Sequence, residues 1–246
     1  MRTFRLLYKS RAVFYFSLIL IFYNEFLVYW QAYFNWPSLF KTQNTDIRLL
    51  LVADPQLIGD NDEPWYQDFI AKWDSDRYLE NTYRLALAHT KPDLVIFLGD
   101  LFDEGLKASD KQFDSYYKRF SKIFKLKEMH HRNQTKIIYI SGDNDIGGEY
   151  RNDRSKRLDK RFENYFGSLV DLKRHEYLSF LKLDLDKSSS FYTKNKRDSV
   201  RKLIKNNVEQ SDHMIILNHM TIFGRYANEV SKVRRFNFIS FNFLYF

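Results

Sequence analysis

The sequence contains four short apolar runs, each followed by an aspartate or by an asparagine–histidine pair. The runs lack regular polar alternation, which is typical of strands covered on both faces of a parallel sheet. Between them, apolar residues recur at helical spacing and predict helices over 76–89 and 113–126. Strands alternating with helices predict an α/β fold. The runs lie at 48–53, 94–98, 136–141 and 214–217.

Charged side chains follow the predicted strands at their carboxyl ends. Asp54, Asp100, Asp143 and His219 each lie at such an end or within two residues of it. A single aspartate after a strand is commonly a turn residue or a helix cap. Four such positions favour a shared site, because the ligand crevice of an open α/β sheet lies beyond the carboxyl ends of its strands.

Three carboxylates in one crevice repel one another unless a cation binds between them. Oxygen ligands with one imidazole suit Mn²⁺ foremost, with Zn²⁺ or iron as alternatives. Two such ions would supply a hydroxide nucleophile and positive charge for hydrolysis of a phosphate ester. The sequence therefore predicts a site for two divalent metal ions.

Four segments resemble, in order, the motifs of the calcineurin-like metallophosphoesterase family. They are Asp-Pro-Gln at 54–56, Gly-Asp-Leu-Phe-Asp at 99–103, Gly-Asp-Asn-Asp at 142–145 and Asn-His at 218–219. The longer strings FLGDLFDEG and GDNDIGGE are more specific. With the apolar N-terminal segment, they resemble the membrane-tethered branch that removes ethanolamine phosphate from GPI anchors in the early secretory pathway. The resemblance covers about residues 48–225 and implies the family's α/β sandwich, here incomplete.

Carried over position by position, the resemblance implies a role for each strand-end residue. Asp54 would bind the first metal, and Asp100 would bridge the two metals. Asp143 and His219 would bind the second metal. Gln56 stands where the family has a histidine, so it is a candidate metal ligand with a neutral oxygen donor.

The resemblance also implies two candidate catalytic residues, Asn144 and Asp145. Asn144 occupies the position of the histidine that protonates the leaving group, and an amide cannot do so. Asp145 would normally orient that histidine, which leaves it a structural task such as holding the turn. The family's Gly-His-x-His segment does not follow His219. We therefore expect a C-terminally truncated form with little or no activity. The alternative interpretation of the apolar segment at 236–246 is a final strand or an interfacial segment.

The N-terminus carries an apolar and aromatic stretch at 12–30, interrupted only by Ser17, Asn24 and Glu25. This is about the length needed to cross a bilayer, and the basic residues before it predict a cytosolic N-terminus. A cleaved signal peptide is the alternative, although no small-x-small site follows. The Asn133 sequon would be usable only in the lumen. The predicted segments are a cytosolic tail (1–11), a transmembrane signal anchor (12–32), a linker (33–46) and a lumenal metallophosphoesterase domain lacking its C-terminal part (47–246).

Composition excludes several classes of protein. The absence of cysteine excludes a disulfide scaffold, thiolate zinc sites and cysteine nucleophiles. The net charge of +8 would suit nucleic acid, but acidic residues are interleaved with the basic ones and a lumenal domain meets no nucleic acid. The basic run at 151–161 is interpreted as a solvated helix face rather than as an anion-binding patch, with Phe162, Tyr165 and Phe166 on its buried side.

The main hypothesis is a single-pass membrane protein of the endoplasmic reticulum or Golgi. Its lumenal domain would be a metal-dependent phosphodiesterase acting on a lipid-linked phosphoester. The implied partners are the bilayer and GPI-anchored cargo or another phospholipid substrate. The alternative hypothesis is a non-catalytic anchored module that binds a partner through the remnant crevice.

Overall fold

The computed structural model describes residues 2–39, 46–62, 64–132, 135–147, 154–184, 202 and 213–219. The Asn133 sequon and the apolar end at 236–246 lie outside these residues. The strands are β1 Leu49–Val52, β2 Leu94–Phe97, β3 Lys136–Tyr139, β4 Asp171–His175, β5 Leu178–Lys182 and β6 His213–Leu217. The helices are α1 Arg2–Phe22, α2 Val28–Asn35, α3 Trp65–Thr90, α4 Asp110–Ile123, α5 Leu126–Arg132, α6 Asp143–Ile146 and α7 Lys156–Phe166, with a π-helical turn at Tyr23–Leu27 between α1 and α2.

β1, β2 and β3 form a parallel sheet in that order. Val52, Phe97 and Tyr139 are register partners at the carboxyl ends of the three strands. Every residue of β2 is buried, because one face of the strand packs on helices and the other on a second sheet. The prediction of an α/β fold with a parallel sheet is confirmed, and burial on both faces explains why β2 shows no polar alternation.

Two hydrophobic clusters flank this sheet. On one face, the rings of Phe97, Phe120 and Phe124 meet with centroids 4.5 to 5.1 Å apart, beneath helices α3 and α4. On the other face, Ile96 from β2 shares a cluster with Phe180 from β5. The sheet is therefore covered by helices on one side and by the second sheet on the other, and its strand ends hold a fixed position.

The second sheet has the order β4–β5–β6, in which β4 and β5 are antiparallel and β5 and β6 are parallel. Sequence patterning predicted β6 but not the β4–β5 hairpin. β4 reads Asp-Leu-Lys-Arg-His, so its apolar content is too low for a pattern of burial to be visible. β6 matters most for function, since His219 follows its last residue, Leu217, by two positions.

The N-terminal segment forms one long helix through α1, the π-helical turn and α2. Its stretch Arg11–Asn35 is long and apolar enough to cross a membrane and is not buried in the protein. By length and composition it suits a signal sequence or an anchor. The helix continues to Asn35, so the first residues of the predicted linker at 33–46 are helical.

The boundaries of α3 and α4 differ from the predicted ones. α3 begins at Trp65 rather than at residue 76. α4 begins at Asp110, because Ser109 and Gln112 form a capping box there. The helix predicted over 113–126 ends at Ile123, since Lys125 takes a left-handed φ of 50° and a separate helix follows it.

The interpretation of 151–161 as a solvated helix face is wrong for two of its arginines. Arg154 and Arg161 are only 5% and 6% exposed. Arg154 pairs with Asp184, and Arg161 donates a 2.6 Å hydrogen bond to the carbonyl of Gly105. Buried charges need such partners, so these arginines join α7 to other parts of the fold. The predicted buried side is confirmed for Phe162 and Phe166, while Tyr165 is partly buried.

Candidate metal centre

The loops after β1 and β2 bring two of the predicted ligands to the same edge of the sheet. Asp54 and Asp100 have φ angles of 44° and 47°, which are uncommon for residues other than glycine. The loops are tied together by a 3.0 Å hydrogen bond from the Gln56 backbone N–H to the Asp100 carbonyl. Backbone strain of this kind persists where the surrounding structure enforces it, and it clusters at functional sites.

The two Gly-Asp steps make room for these side chains. Gly99 has a φ of 101°, and a Cβ atom there would lie 2.5 Å from Nδ1 of His219. A Cβ atom at Gly142 would collide with the side chain and the backbone nitrogen of Asp100. The glycines are therefore required because the β2 loop, the β3 loop and His219 approach one another at van der Waals distance.

His219 lies among three carboxylates. Its Nε2 is 3.2 Å from Oδ1 of Asp143 and 3.6 Å from Oδ1 of Asp100, and its Nδ1 is 3.7 Å from Oδ1 of Asp54. Nδ1 also lies 2.9 Å from the carbonyl oxygen of Leu98. When Nδ1–H donates to that carbonyl, the Nε2 lone pair faces Asp100 and Asp143, which is the usual orientation of a metal-binding histidine.

Burial and close charged neighbours shift the pKa values of Asp100 and His219. Burial raises the pKa of Asp100 to about 6, against the opposing effects of His219 and the Asn144 backbone N–H. Burial alone would lower the pKa of His219, but its hydrogen bond with Asp143 and the charge of Asp100 raise it to about 9. The carboxylates around His219 therefore favour a positive charge at this position.

The cluster fits a divalent cation. Ligand atoms of Asp54, Asp100 and His219 lie within 4.8 Å of one another, and Asp143 adds an oxygen beside His219. Asp100 is 6% exposed, and a buried carboxylate near two others needs a counter-charge. Oxygen donors with one imidazole would hold Mn²⁺, iron or Zn²⁺. Gln56, the fifth predicted ligand, is exposed, and its role as a ligand stays a prediction.

Asn144 and Asp145 have different surroundings. The Asn144 backbone N–H donates to Oδ1 of Asp100 at 3.0 Å, and its side-chain Nδ2 donates to Oδ2 at 3.3 Å. Asn144 therefore orients the carboxylate predicted to bridge the metals. Asp145 is 1% exposed and accepts hydrogen bonds from the backbone N–H groups of Gly142, Leu101 and Phe102.

These bonds join the loop after β2 to the loop after β3. Burial raises the pKa of Asp145 to about 7, although the three backbone donors favour the carboxylate. This geometry supports the predicted task of holding the turn. A catalytic role for Asn144 or Asp145 stays a prediction.

Sequence reasoning missed a third buried carboxylate near the site, Glu104. It is 1% exposed and accepts hydrogen bonds from the backbone N–H groups of Asn61 and Asp62, at 2.8 Å for the shortest contact to each. Glu104 thereby fixes the loop that leads from Asp54 to α3. The available signal was the position of Glu104 within the FLGDLFDEG string. Charged residues are mostly exposed, so the sequence alone did not show that the loop folds over this side chain.

The chain is similar to several known proteins. A family described as "Calcineurin-like phosphoesterase" matches residues 47–241. The chain is 32% identical to the metallophosphoesterase 1 homolog of Drosophila melanogaster over 150 residues, which cover 60% of this chain and 38% of that protein. It is 31% identical to metallophosphoesterase 1 of Xenopus laevis over 164 residues, which cover 63% of this chain and 38% of that protein.

Among solved structures, a purple acid phosphatase isolated from yellow lupin (Lupinus luteus) seeds aligns with a TM-score of 0.48 and 14% identity, covering 78% of this chain and 34% of that one. The matched part of the chain spans less than half the length of the two curated relatives. The family match extends over most of the chain and includes the loops that carry Asp54, Asp100, Asp143 and His219. The chain belongs to the calcineurin-like metallophosphoesterase family.

Proposed function

We propose that the chain is a membrane-anchored, metal-dependent phosphodiesterase with weak or no activity. The observation that carries the proposal is the convergence of Asp54, Asp100 and His219 within 4.8 Å at the carboxyl ends of the strands. Asp143 and Gln56 complete the proposed ligand set for two divalent ions. When bound, the ions supply Lewis acidity toward a phosphoryl oxygen and lower the pKa of water.

The protein's own residues perform the positioning. The carbonyl of Leu98 orients His219, Asn144 orients Asp100, and Asp145 holds the two loops in place. Asn144 cannot supply a proton to a leaving group, because a side-chain amide is not an acid at neutral pH. Phosphodiesters with poor leaving groups are therefore expected to react far more slowly than activated aryl esters.

The proposed substrate is a lipid-linked phosphoester, specifically the ethanolamine phosphate of GPI anchors, and the proposed location is the lumen of the endoplasmic reticulum or Golgi. Two features support this proposal. The helix Arg11–Asn35 has the length and composition of a membrane span, and the curated relatives include metallophosphoesterase 1 proteins. In this arrangement residues 12–32 form the anchor, and the domain from residue 47 is lumenal.

A non-catalytic binding module is the second candidate. It is favoured by Asn144, whose two nitrogen donors occupy both oxygens of Asp100. A carboxylate held in this way can remain in place without a metal, and the crevice could then bind a partner without hydrolysis.

Calorimetry with Mn²⁺ distinguishes the two candidates when the full chain is held in phosphatidylcholine nanodiscs. The test variant is Asp100→Asn, and the matched control is Asp103→Asn, the same change at an exposed residue of the same loop. Binding by the wild type and the control but not by Asp100→Asn supports the phosphodiesterase proposal. Undetectable binding at millimolar Mn²⁺ overturns it in favour of the module.

Hydrolysis of bis-p-nitrophenyl phosphate then tests the activity. We expect slow turnover or none, with any turnover lost in Asp100→Asn. Turnover in the ordinary range of enzymes, above about 1 s⁻¹, would overturn the proposal that the hydrolytic activity is weak. The variant Asn144→His should raise the rate most for esters with alkyl leaving groups, because it introduces a general acid.

A further inference from the structure

Arg161 of α7 is a buried arginine that binds the loop after β2. Its side chain is 5% exposed. Nη2 donates to the carbonyl of Gly105 and Nη1 donates to the carbonyl of Ala108, each at 2.6 Å. The guanidinium also lies 4.4 Å from the centre of the Phe113 ring in α4. Because the guanidinium is planar and rigid, these two bonds fix both carbonyls relative to α7.

Burial of this positive charge is costly for the fold. The acidic neighbour of Arg161 is Asp110, which lies 3.2 Å from Nη1, has a side chain 70% exposed and also pairs with Arg157. Nε of Arg161 is buried and has no hydrogen-bond partner among the described residues. An apolar residue of similar volume would avoid the desolvation of the charge. The specific contribution of the arginine is therefore its pair of hydrogen bonds to the loop.

The loop that Arg161 binds is in direct contact with the loop after β3. The Leu106 backbone N–H donates to the Asn144 carbonyl at 2.6 Å. A Cβ atom at Gly105 would lie 2.9 Å from that carbonyl oxygen and 2.9 Å from Cα of Asp145. A displacement of the loop at Gly105 and Leu106 would therefore move Asn144.

Asn144 connects this contact to the carboxylate of Asp100. Its carbonyl accepts from Leu106, while its backbone N–H and its Nδ2 donate to the two oxygens of Asp100 at 3.0 and 3.3 Å. The direction of the Asp100 carboxylate thus depends on where Asn144 lies. A continuous series of contacts leads from Arg161 through the loop after β2 to Asn144 and Asp100.

We propose that Arg161 is a positioning residue for the metal centre. It fixes the loop after β2, and this loop sets the position of Asn144 and the direction of the Asp100 carboxylate. The inference deepens the proposed function and rests on it, because it requires that Asp100 binds a metal ion. Replacing a residue that contacts a metal ligand commonly changes metal affinity by about 10–100-fold. Arg161 lies further from the metal than Asn144, so we expect a smaller change of about three- to tenfold.

Arg161→Met tests the proposal in the full chain held in phosphatidylcholine nanodiscs, with Mn²⁺ affinity measured by calorimetry. The matched control is Arg154→Met, the same change at a similarly buried arginine. The partners of Arg154 are Asp159 and Asp184, which lie outside the metal-centre loops. Arg154→Met should therefore lower stability in urea titrations but bind Mn²⁺ as the wild type does. Arg161→Met should bind Mn²⁺ about three- to tenfold more weakly.

Two further variants test the route from Arg161 to the metal centre. Arg161→Lys keeps the charge but lacks the planar pair of donors, so its Mn²⁺ affinity should lie between those of the wild type and Arg161→Met. Gly105→Ala displaces the Asn144 carbonyl directly while Arg161 stays in place, and it serves as the main variant if Arg161→Met folds poorly. Because both changes act through Asn144, the double variant should lose less affinity than the product of the two single losses.

Unchanged Mn²⁺ affinity in Arg161→Met would overturn the proposal, and so would an equal loss in Arg154→Met. Losses that multiply in the double variant would also overturn it, because Arg161 and Gly105 would then act independently. Undetectable Mn²⁺ binding by the wild type would refute the proposed function and the inference with it. Binding by the wild type together with unchanged affinity in Arg161→Met would refute the inference alone.

Discussion

The three backbone hydrogen bonds to Asp145 give a measurable prediction for stability. Asp145→Ala leaves the N–H groups of Gly142, Leu101 and Phe102 without their acceptor in a buried position. Each unsatisfied buried donor costs about 1–3 kcal/mol. Allowing for relaxation, we expect a loss of about 3–5 kcal/mol in the free energy of unfolding, a large part of the 5–15 kcal/mol typical of a domain.

Asp145→Asn should be milder, because one oxygen remains. Oδ2 accepts from Gly142 and Leu101, whereas Oδ1 accepts from Phe102 alone. An amide oxygen at the Oδ2 position keeps two bonds and leaves the amide nitrogen facing the Phe102 N–H, which costs about 1–3 kcal/mol. The difference in the free energy of unfolding between Asp145→Ala and Asp145→Asn therefore measures the stabilisation that the retained acceptor oxygen provides.

The assay is urea denaturation of the full chain in detergent micelles, followed by tryptophan fluorescence. Asp103→Ala, at an exposed position of the same loop, serves as the control and should lower stability by much less than Asp145→Ala. A loss below about 1 kcal/mol in Asp145→Ala would refute the role of Asp145 in joining the two loops. Equal losses in the two Asp145 variants would mean that its charge, rather than its acceptor geometry, is what the fold requires.

Three further predictions concern other parts of the fold. Gly99→Ala should lower Mn²⁺ affinity at least tenfold in calorimetry, because its Cβ would lie 2.5 Å from Nδ1 of His219; unchanged affinity would show that His219 is not a ligand. Burial lowers the pKa of Lys182 to about 8 from its ordinary 10.5, so the folded state disfavours the ammonium and stability rises with pH between these values. Lys182→Met removes this cost but also removes the 2.7 Å hydrogen bond from Nζ to the Ser168 carbonyl. It should therefore exceed the wild type at pH 7 by less than the roughly 3 kcal/mol that the pKa shift represents, with the advantage vanishing near pH 10.5 in urea titrations at each pH. Arg154→Met should cost about 3–5 kcal/mol in the same assay, since Asp184, with a side chain 6% exposed, loses its partner; a neutral effect would mean that Asp184 is solvated.

The alternation of strands and helices and the parallel sheet follow from local patterning. β2 is apolar throughout because both of its faces are covered, and this signal is legible in the sequence. The β4–β5 hairpin was not predicted, because β4 carries four charged or titratable residues in five and gains its place by pairing with β5. Arg161 was predicted to be solvated, because charged residues are mostly exposed. Only the folded chain brings the carbonyls of Gly105 and Ala108 to its guanidinium.

The sequence by itself determined which residues lie at the strand ends, because hydrophobic runs and the Gly-Asp steps mark where each strand stops. Tertiary structure decided the distances between the side chains of these residues. His219 lies far from Asp54 along the chain, yet the packing of the second sheet on the first brings Nδ1 of His219 within 3.7 Å of Oδ1 of Asp54. Tertiary structure likewise decided that four apolar residues of α3 face outward, namely Tyr66, Phe69, Ile70 and Trp73. Helical periodicity shows that a helix has an apolar face, but only the neighbouring elements determine whether that face meets the core.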